Sequence, residues 1–349
     1  MTRPLVLVDA DVLGRQRTGD ESYVENLLRE LGGMNKDIRF AAVTRQPELV
    51  PAGIEALELP ARSQIARMAV GVPRLLRSVQ PDVAHFQHVL PPLAPRSSVI
   101  TVHDLSFEYQ PDVMTLRDRT IFRTLVPRSA RRAARVLTVS EWTKRDLAER
   151  YGLAPERIVV TPNGVDPAFS PDGPVRGDRT ELLFVGAIQP RKDPVTALEA
   201  LALLDDTVRL LFVGPEKHGG DDVRAAVSRL GLRTRVEFLG RVGKDDLAAL
   251  YRGAACLVFP SRYEGFGLPV LEAMACGTPV VATRAGALPE IAGDAAVLVE
   301  PRDPQALASG IAEALANRAS LVAAGLDRAR QFTWTKTARR TLEVYRELV

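Results

Sequence analysis

The densest chemistry in this sequence lies on one stretch, Phe259-Pro-Ser-Arg-Tyr-Glu-Gly-Phe-Gly-Leu-Pro-Val-Leu-Glu-Ala-Met-Ala. Glu264 falls in a loop that follows an apolar strand. Glu272 falls about one turn into a helix opening at Leu268 or Pro269, where a proline is well placed. Gly265 and Gly267 have no Cβ, so their backbone amides can approach a ligand closely. Together with the N–H groups that open the helix, they form an anion site. A carboxylate beside such a site has little to offer a bare phosphate. An ionised carboxylate only accepts hydrogen bonds, so the ligand should bring hydroxyls as well as negative charge. A nucleotide sugar brings both: hydroxyls on sugar and ribose, with a diphosphate between. The bland reading makes Glu264 a helix cap and Glu272 a solvated residue. It serves for either glutamate alone and fits the whole stretch poorly, because carboxylates on a buried loop need a partner.

A second stretch supplies the opposite charge. In Phe184-Val-Gly-Ala-Ile-Gln-Pro-Arg-Lys-Asp-Pro, a strand passes Gly186 and reaches Arg191 and Lys192 at the start of a helix. Lys192 is one of only six lysines beside 40 arginines. Cations at a helix start run against the helix dipole, so the pair needs a reason. A departing diphosphate is one, since it needs two negative charges neutralised. Histidines form a third group. His85, His88 and His103 fall at the ends of first-half strands. A neutral imidazole at His103 can hydrogen-bond a sugar hydroxyl or orient the reacting centre, with Asp104 assisting it or meeting an acceptor. His85 and His88 can line the acceptor side, although His85 reads better as a core residue. A His-x-x-His pair at a strand end lacks helical ligand spacing, so no metal site is expected.

These groups need a scaffold that brings strand ends together. Continuous apolar runs alternate with helical patterns along almost the whole chain, seven between residues 4 and 161 and six between residues 181 and 299. Such runs read as buried strands of parallel sheets covered on both faces by helices. Residues 162–178 hold four prolines and three glycines and make the best linker. The expectation is an α/β protein of two doubly wound, Rossmann-like domains at 1–168 and 178–333 facing across a cleft. A last helix at about 335–349 packs back on the first. A ligand then belongs at the carboxyl ends of the strands.

The run Glu-Gly-Phe-Gly-Leu-Pro-x-Leu-Glu-Ala-Met-Ala-x-Gly-x-Pro-Val, with seven residues between Glu264 and Glu272, resembles the signature of the retaining glycosyltransferases of family 4. The chain looks most like bacterial mannosyl- and hexosyltransferases of surface polysaccharide synthesis. The resemblance covers nearly the whole chain and implies the GT-B fold. It implies transfer of a hexose from a nucleotide diphosphate sugar to an acceptor hydroxyl, glycan or lipid-linked, with retention, and needing neither cofactor nor metal. By position it makes His103, Asp104 and Glu264 the catalytic residues. It puts Gly19, Gly186, Arg191, Lys192, Val242, Glu264, Gly265, Phe266, Gly267, Leu268 and Glu272 on the donor. The sequence departs from the family pattern twice. Many relatives carry an arginine directly after the glycine of the second stretch; here it is Ala187, leaving that job to Arg191 or to no residue. In Val8-Asp-Ala-Asp-Val-Leu-Gly-Arg-Gln-Arg-Thr-Gly-Asp-Glu-Ser-Tyr only Gly19 matches the family's Gly-x-Gly, and Glu21 replaces the second glycine. That loop then selects an acceptor rather than cradling phosphate. A sugar-nucleotide epimerase or a silent nucleotide-sugar-binding protein on the same fold are the alternatives. A pyridoxal-phosphate phosphorylase finds no obvious lysine.

Composition agrees with a globular enzyme. The 349 residues are 46% hydrophobic and 26% charged, which excludes disorder and fibrous classes. A formal net charge of +3 is too small to argue for nucleic acid. Two cysteines make no disulfide framework and fit a reducing compartment. No run approaches the ~20 apolar residues of a spanning helix, and the apolar run at 4–8 is cut by Asp9, so a cytoplasmic protein is expected. Two arginine-rich segments, 62–79 and 117–135, fall in the first half. Either they are ordinary surface helices or they rest on the anionic inner face of a membrane.

Overall fold

The computed structural model describes residues 3–15, 18–34, 37–61, 63–110, 114–217 and 219–349. Two compact units result. The first takes Met1–Leu105, Leu116–Gly164 and Thr333–Val349; the second takes Ser106–Thr115 and Val165–Phe332.

The chain runs β1 (Leu5–Asp9), α1 (Thr18–Met34), β2 (Arg39–Thr44), β3 (Glu55–Glu58), α2 (Gln64–Ala66), α3 (Val72–Val79), β4 (Val83–Gln87) and β5 (Val99–Val102). It continues through α4 (Ser106–Tyr109), α5 (Leu116–Arg132), β6 (Arg135–Thr138), α6 (Glu141–Tyr151) and β7 (Ile158–Val160). The second half runs β8 (Glu181–Val185), α7 (Pro194–Leu201), β9 (Arg209–Val213), α8 (Gly220–Arg229), β10 (Val236–Gly240), α9 (Lys244–Gly253), β11 (Cys256–Phe259) and α10 (Leu268–Ala275). It ends with β12 (Val280–Thr283), α11 (Leu288–Ala292), β13 (Val297–Val299), α12 (Pro304–Ala316), α13 (Arg318–Ala329) and α14 (Trp334–Arg346).

Among the described residues, each unit holds one all-parallel sheet. The first has seven strands in the order β3-β2-β1-β4-β5-β6-β7 and the second has six in the order β10-β9-β8-β11-β12-β13. Helices on both faces bury the central strands, so Val6, Leu7, Val8 and Leu257 are wholly inaccessible. That double burial is why central strands such as β1 and β11 read as apolar runs, whereas the edge strand β3, expected to be buried, is mostly exposed. Strand order reverses between β1 and β4 in one sheet and between β8 and β11 in the other. At such a reversal the loops at the carboxyl ends diverge and leave a crevice.

Local signals set the helix ends. Ser140 caps α6 by accepting the Thr143 N–H, and Gly152 at φ 62° closes it in the left-handed conformation. Thr333 caps α14 in the same way through Lys336. α14 belongs to the first unit. Its Tyr345 hydroxyl meets His85 Nδ1 at 2.6 Å, and His85 Nε2 meets Thr101 Oγ1 at 2.7 Å. His85 is therefore a core residue with both ring nitrogens satisfied. Burial lowers its pKa to about 3 and keeps it neutral. Tyr345→Phe should leave Nδ1 buried without a partner and cost about 1–3 kcal/mol. The measurement is the urea midpoint, which should fall at constant m-value; an unmoved midpoint would show that the bond carries no stability.

The first arginine-rich segment is a correction. Arg62 lies outside the described residues. Arg67, expected on a basic surface, is fully buried. Its guanidinium reaches Asp9 Oδ1 at 2.6 Å and Asp11 Oδ1 at 3.3 Å, and Arg45 also pairs with Asp11 at 2.8 Å. Two aspartates at the buried end of β1 require counter-charge, and a π turn at Arg67–Gly71 delivers it. The apolar Ile65 and Val70 are exposed instead. The second segment is the helix α5 followed by β6, with Arg117, Arg123 and Arg128 exposed beside Leu116 and Leu125. No described helix is long and apolar enough to cross a membrane.

Candidate active site

In the second unit the chemistry gathers at the strand reversal. β8 is followed by Gly186 at φ 143°, a conformation that suits glycine, and a Cβ there would lie 3.4 Å from Lys192 Cε. A single 3-10 turn, Pro190–Lys192, carries the two cations. From β11, the loop at 260–267 brings Glu264 to them. Lys192 Nζ lies 2.7 Å from Glu264 Oε1, and Arg191 Nη1 lies 3.4 Å from Oε2. Lys192 is 8% exposed and Glu264 6%, and the ammonium sits 4.6 Å from the Phe259 ring centroid. Burial pushes the Glu264 carboxyl upward. Lys192 first and Arg191 second outweigh it, so the group stays below its ordinary range and ionised.

The two loops are stitched together beside this cluster. Arg262 N–H donates to the Arg191 carbonyl at 2.8 Å, Arg191 Nη1 donates to the Tyr263 carbonyl at 2.8 Å, and Arg262 pairs with Asp193 at 2.7 Å. Gly267, at φ 109°, is the N-cap of α10, with Leu268 its first residue. Gly265 and Phe266 are buried in the loop before it. Glu272, on α10, accepts the Tyr251 hydroxyl at 3.1 Å. Burial raises the Glu272 carboxyl to about 7. Lys192 acts on this group too, so one ammonium lies within electrostatic reach of both glutamates. Val242 lies in the turn between β10 and α9, after Gly240 at φ 64°.

In the first unit, three elements converge. His103 follows β5, with Nε2 at 2.9 Å from Gln87 Oε1 and 4.0 Å from Asp20 Oδ1. Tyr23 presents its edge to the ring, with centroids 4.8 Å apart. Burial is the main reason that the His103 pKa drops to about 4, so the imidazole is neutral at physiological pH. Asp104 follows directly and acts electrostatically on it. Gly19 was expected in a loop. It lies instead in the first turn of α1, exposed, with nothing within 4 Å of the place a Cβ would take. α1 starts at Thr18, and Glu21 reaches back to accept the Gly14 N–H at 2.7 Å. Gln16 and Arg17 of the same segment lie outside the described residues.

The Glycosyltransferase Family 4 model matches residues 17–169, and the Glycosyl transferases group 1 model matches residues 166–331. O-antigen chain mannosyltransferase B of Escherichia coli is 31% identical over 295 residues, covering 78% of this chain and 76% of the relative. The chain belongs to glycosyltransferase family 4. A D-inositol 3-phosphate glycosyltransferase of Acidothermus cellulolyticus is 36% identical, over 62% of this glycosyltransferase but only 54% of the relative. Solved structures agree on the GT-B fold. Sucrose-phosphate synthase from Thermosynechococcus elongatus superposes with a TM-score of 0.80 at 23% identity, covering 99% of each chain. HepE of Anabaena, solved with UDP and glucose, gives 0.76 at 18% identity over 99% of this chain and 100% of that one.

Two supports of this glycosyltransferase's site escaped the sequence reading. Gly286, after β12, takes φ 59°, and a Cβ there would lie 2.2 Å from the Glu264 carbonyl oxygen. Its neighbour Ala287 donates its N–H to that same oxygen at 2.9 Å. A glycine just past a strand end is the signal that could have marked it. Tyr251, wholly buried beneath Glu272, lies 21 positions away and left no such mark.

Proposed function

We propose that this glycosyltransferase moves a hexose from a nucleotide diphosphate sugar to an acceptor hydroxyl, glycan or lipid-linked, with retention at the anomeric carbon and without a metal ion. The observation that carries this reading is the buried Lys192–Glu264 pair with Arg191 on its flank. An incoming diphosphate competes with Glu264 for the two cations. As Lys192 and Arg191 turn to the phosphates, the carboxylate is released to accept hydrogen bonds from sugar hydroxyls. The cations then hold the charge that develops on the leaving nucleoside diphosphate, the work a divalent ion performs elsewhere. Gly186 leaves room for Lys192, while Gly265, Phe266, Gly267 and Leu268 present the opening of α10 to the donor. Gly19 and Val242 complete the donor contacts in this reading. His103, neutral, hydrogen-bonds the sugar, and Asp104 meets the acceptor or steadies His103.

Supporting the donor class are the HepE complex with UDP and glucose and the mannosyltransferase relative. Retention rests on the family. Incubating the chain with a panel of nucleoside diphosphate hexoses and acceptor glycans, with and without chelator, tests the whole. Transfer that survives chelation and keeps the anomeric configuration is the expected result. An epimerised donor without acceptor, or no turnover of any donor, would overturn it.

Glu272 makes the donor affinity depend on pH. With its carboxyl raised to about 7, it is protonated below that pH and then accepts hydroxyl protons less well. Donor KM should therefore fall as pH rises through about 7, and Glu272→Gln should flatten that profile. The arginines of α5, with Leu116 and Leu125 exposed among them, suit peripheral contact with an anionic inner membrane face. Flotation with anionic but not zwitterionic liposomes is the expected outcome, lost in Arg117→Glu/Arg123→Glu/Arg128→Glu.

A further inference from the structure

The first unit contains a convergence that the transfer reaction does not require. Asp20 comes from the first turn of α1, His88 from the loop after β4, and His103 from the end of β5. One ligand atom from each lies within 4.8 Å of the others. All three sit at the carboxyl edge where strand order reverses. His88 Nδ1 is buried with no hydrogen-bond partner, an unusual state for a ring nitrogen. Its backbone is held at φ 60°, and its ring centroid is 5.4 Å from that of His103. His103 Nε2 lies 4.0 Å from Asp20 Oδ1 and meets Gln87 Oε1 at 2.9 Å, a contact that a bound ion would replace. His85 takes no part, because Tyr345 and Thr101 occupy both its nitrogens. The His-x-x-His spacing is thus uninformative, and the partner of His88 comes from the next strand.

We propose that Asp20, His88 and His103 bind a borderline-soft divalent cation of the zinc type, and that the bound ion withdraws His103 from the transfer reaction. Two imidazoles and one carboxylate suit zinc, cobalt or nickel, whereas magnesium and calcium prefer oxygen-only sets. Bonds of about 2.0–2.1 Å would bring the ligand atoms to about 3.3 Å apart, a closure that side-chain rotation supplies. Three protein ligands leave a fourth position for water. The ion would occupy the His103 nitrogen that the transfer reading turns to the sugar, so it acts as an inhibitor, and transfer itself stays metal-independent. The inhibitory half rests on the role given to His103 above; the binding half does not.

The test uses the full chain stripped by chelator and supplied with Zn²⁺ or Co²⁺ alone. Equilibrium dialysis should find one ion per chain, and Co²⁺ should develop the strong visible d–d absorption of a four-coordinate site. His88→Ala and Asp20→Asn should each weaken binding by more than the ~10–100-fold that loss of an outer partner costs. Cys256→Ser/Cys276→Ser should bind as before, which excludes the two buried thiols as the site. Excess Mg²⁺ should not displace the ion. Should a variant not fold, the wild type still decides: a Co²⁺ spectrum no stronger than that of the aqueous ion overturns the site. Binding unaltered in both variants overturns it equally. Zinc bound at one equivalent with turnover unchanged overturns the inhibitory half. Binding is read without any donor, so its failure is distinguishable from failure of the transferase reading.

Discussion

Glu264→Gln is expected to lower kcat by about 10²–10³-fold at saturating donor, the scale on which a preorganised electrostatic group acts. Glutamine keeps the volume and removes the charge. The wild-type carboxylate is buried, and burial alone would favour its neutral form. Lys192 at 2.7 Å and Arg191 at 3.4 Å reverse that preference and keep it ionised. An ionised carboxylate cannot serve as a general acid. It can grip hydroxyls and offset the positive charge that grows on the sugar as the leaving group departs, in an oxocarbenium-like transition state. Steady-state kinetics with a nucleoside diphosphate hexose that the wild type turns over checks this, and near-wild-type kcat in the variant would remove Glu264 from the reaction.

Lys192→Met should damage both stability and donor binding. The ammonium is nearly buried and placed between the Glu264 carboxylate, the Phe259 ring and the backbone at Gly186. Removing it leaves a buried carboxylate whose remaining cation, Arg191, is the more distant of the two. Breaking one side of a buried pair costs about 3–5 kcal/mol, and Arg191 should hold the loss toward the lower end. The pH dependence has a definite sign. Glu264 has a folded-state pKa below its unfolded value, so its contribution is present above the unfolded value and lost as pH falls through the folded one. Urea midpoints of wild type and variant should therefore differ most at neutral pH and converge in acid. A gap that is absent at pH 7, or that widens in acid, would contradict the assignment.

Much of the scaffold was legible because its strands are buried on both faces. Central strands such as β1, β8 and β11 had to be largely apolar runs, and each of these runs is a strand in the structure. The positions of Arg191, Lys192, Glu264 and Glu272 followed, since strand–loop–helix punctuation by glycine and proline marks where each loop sits. What stayed hidden was long-range pairing. Arg67 read as one arginine among several on a helix. Nothing local says that Asp9 and Asp11 draw it into the core from 58 and 56 positions away. Gly286 and Tyr251 support Glu264 and Glu272 from other strands and helices, by backbone contact and a single hydroxyl. The start of α1 was misplaced because Gly19, a poor helix former, suggested loop while Thr18 already begins the turn. Convergence of Asp20 with His88 and His103 depends on sheet order, which spacing along the chain does not encode.

The central claim is a division of labour: Lys192 and Arg191 take the diphosphate, and Glu264 takes the sugar. Calorimetric titration of wild type, Lys192→Met and Glu264→Gln with a nucleoside diphosphate and with its hexose conjugate tests it most directly. Lys192→Met should weaken both ligands alike. Glu264→Gln should weaken the conjugate while leaving the bare diphosphate bound as tightly as before or tighter, because a competing anion has been removed. If Glu264→Gln instead weakened the bare diphosphate as much as the conjugate, the carboxylate would not be the group that holds the sugar.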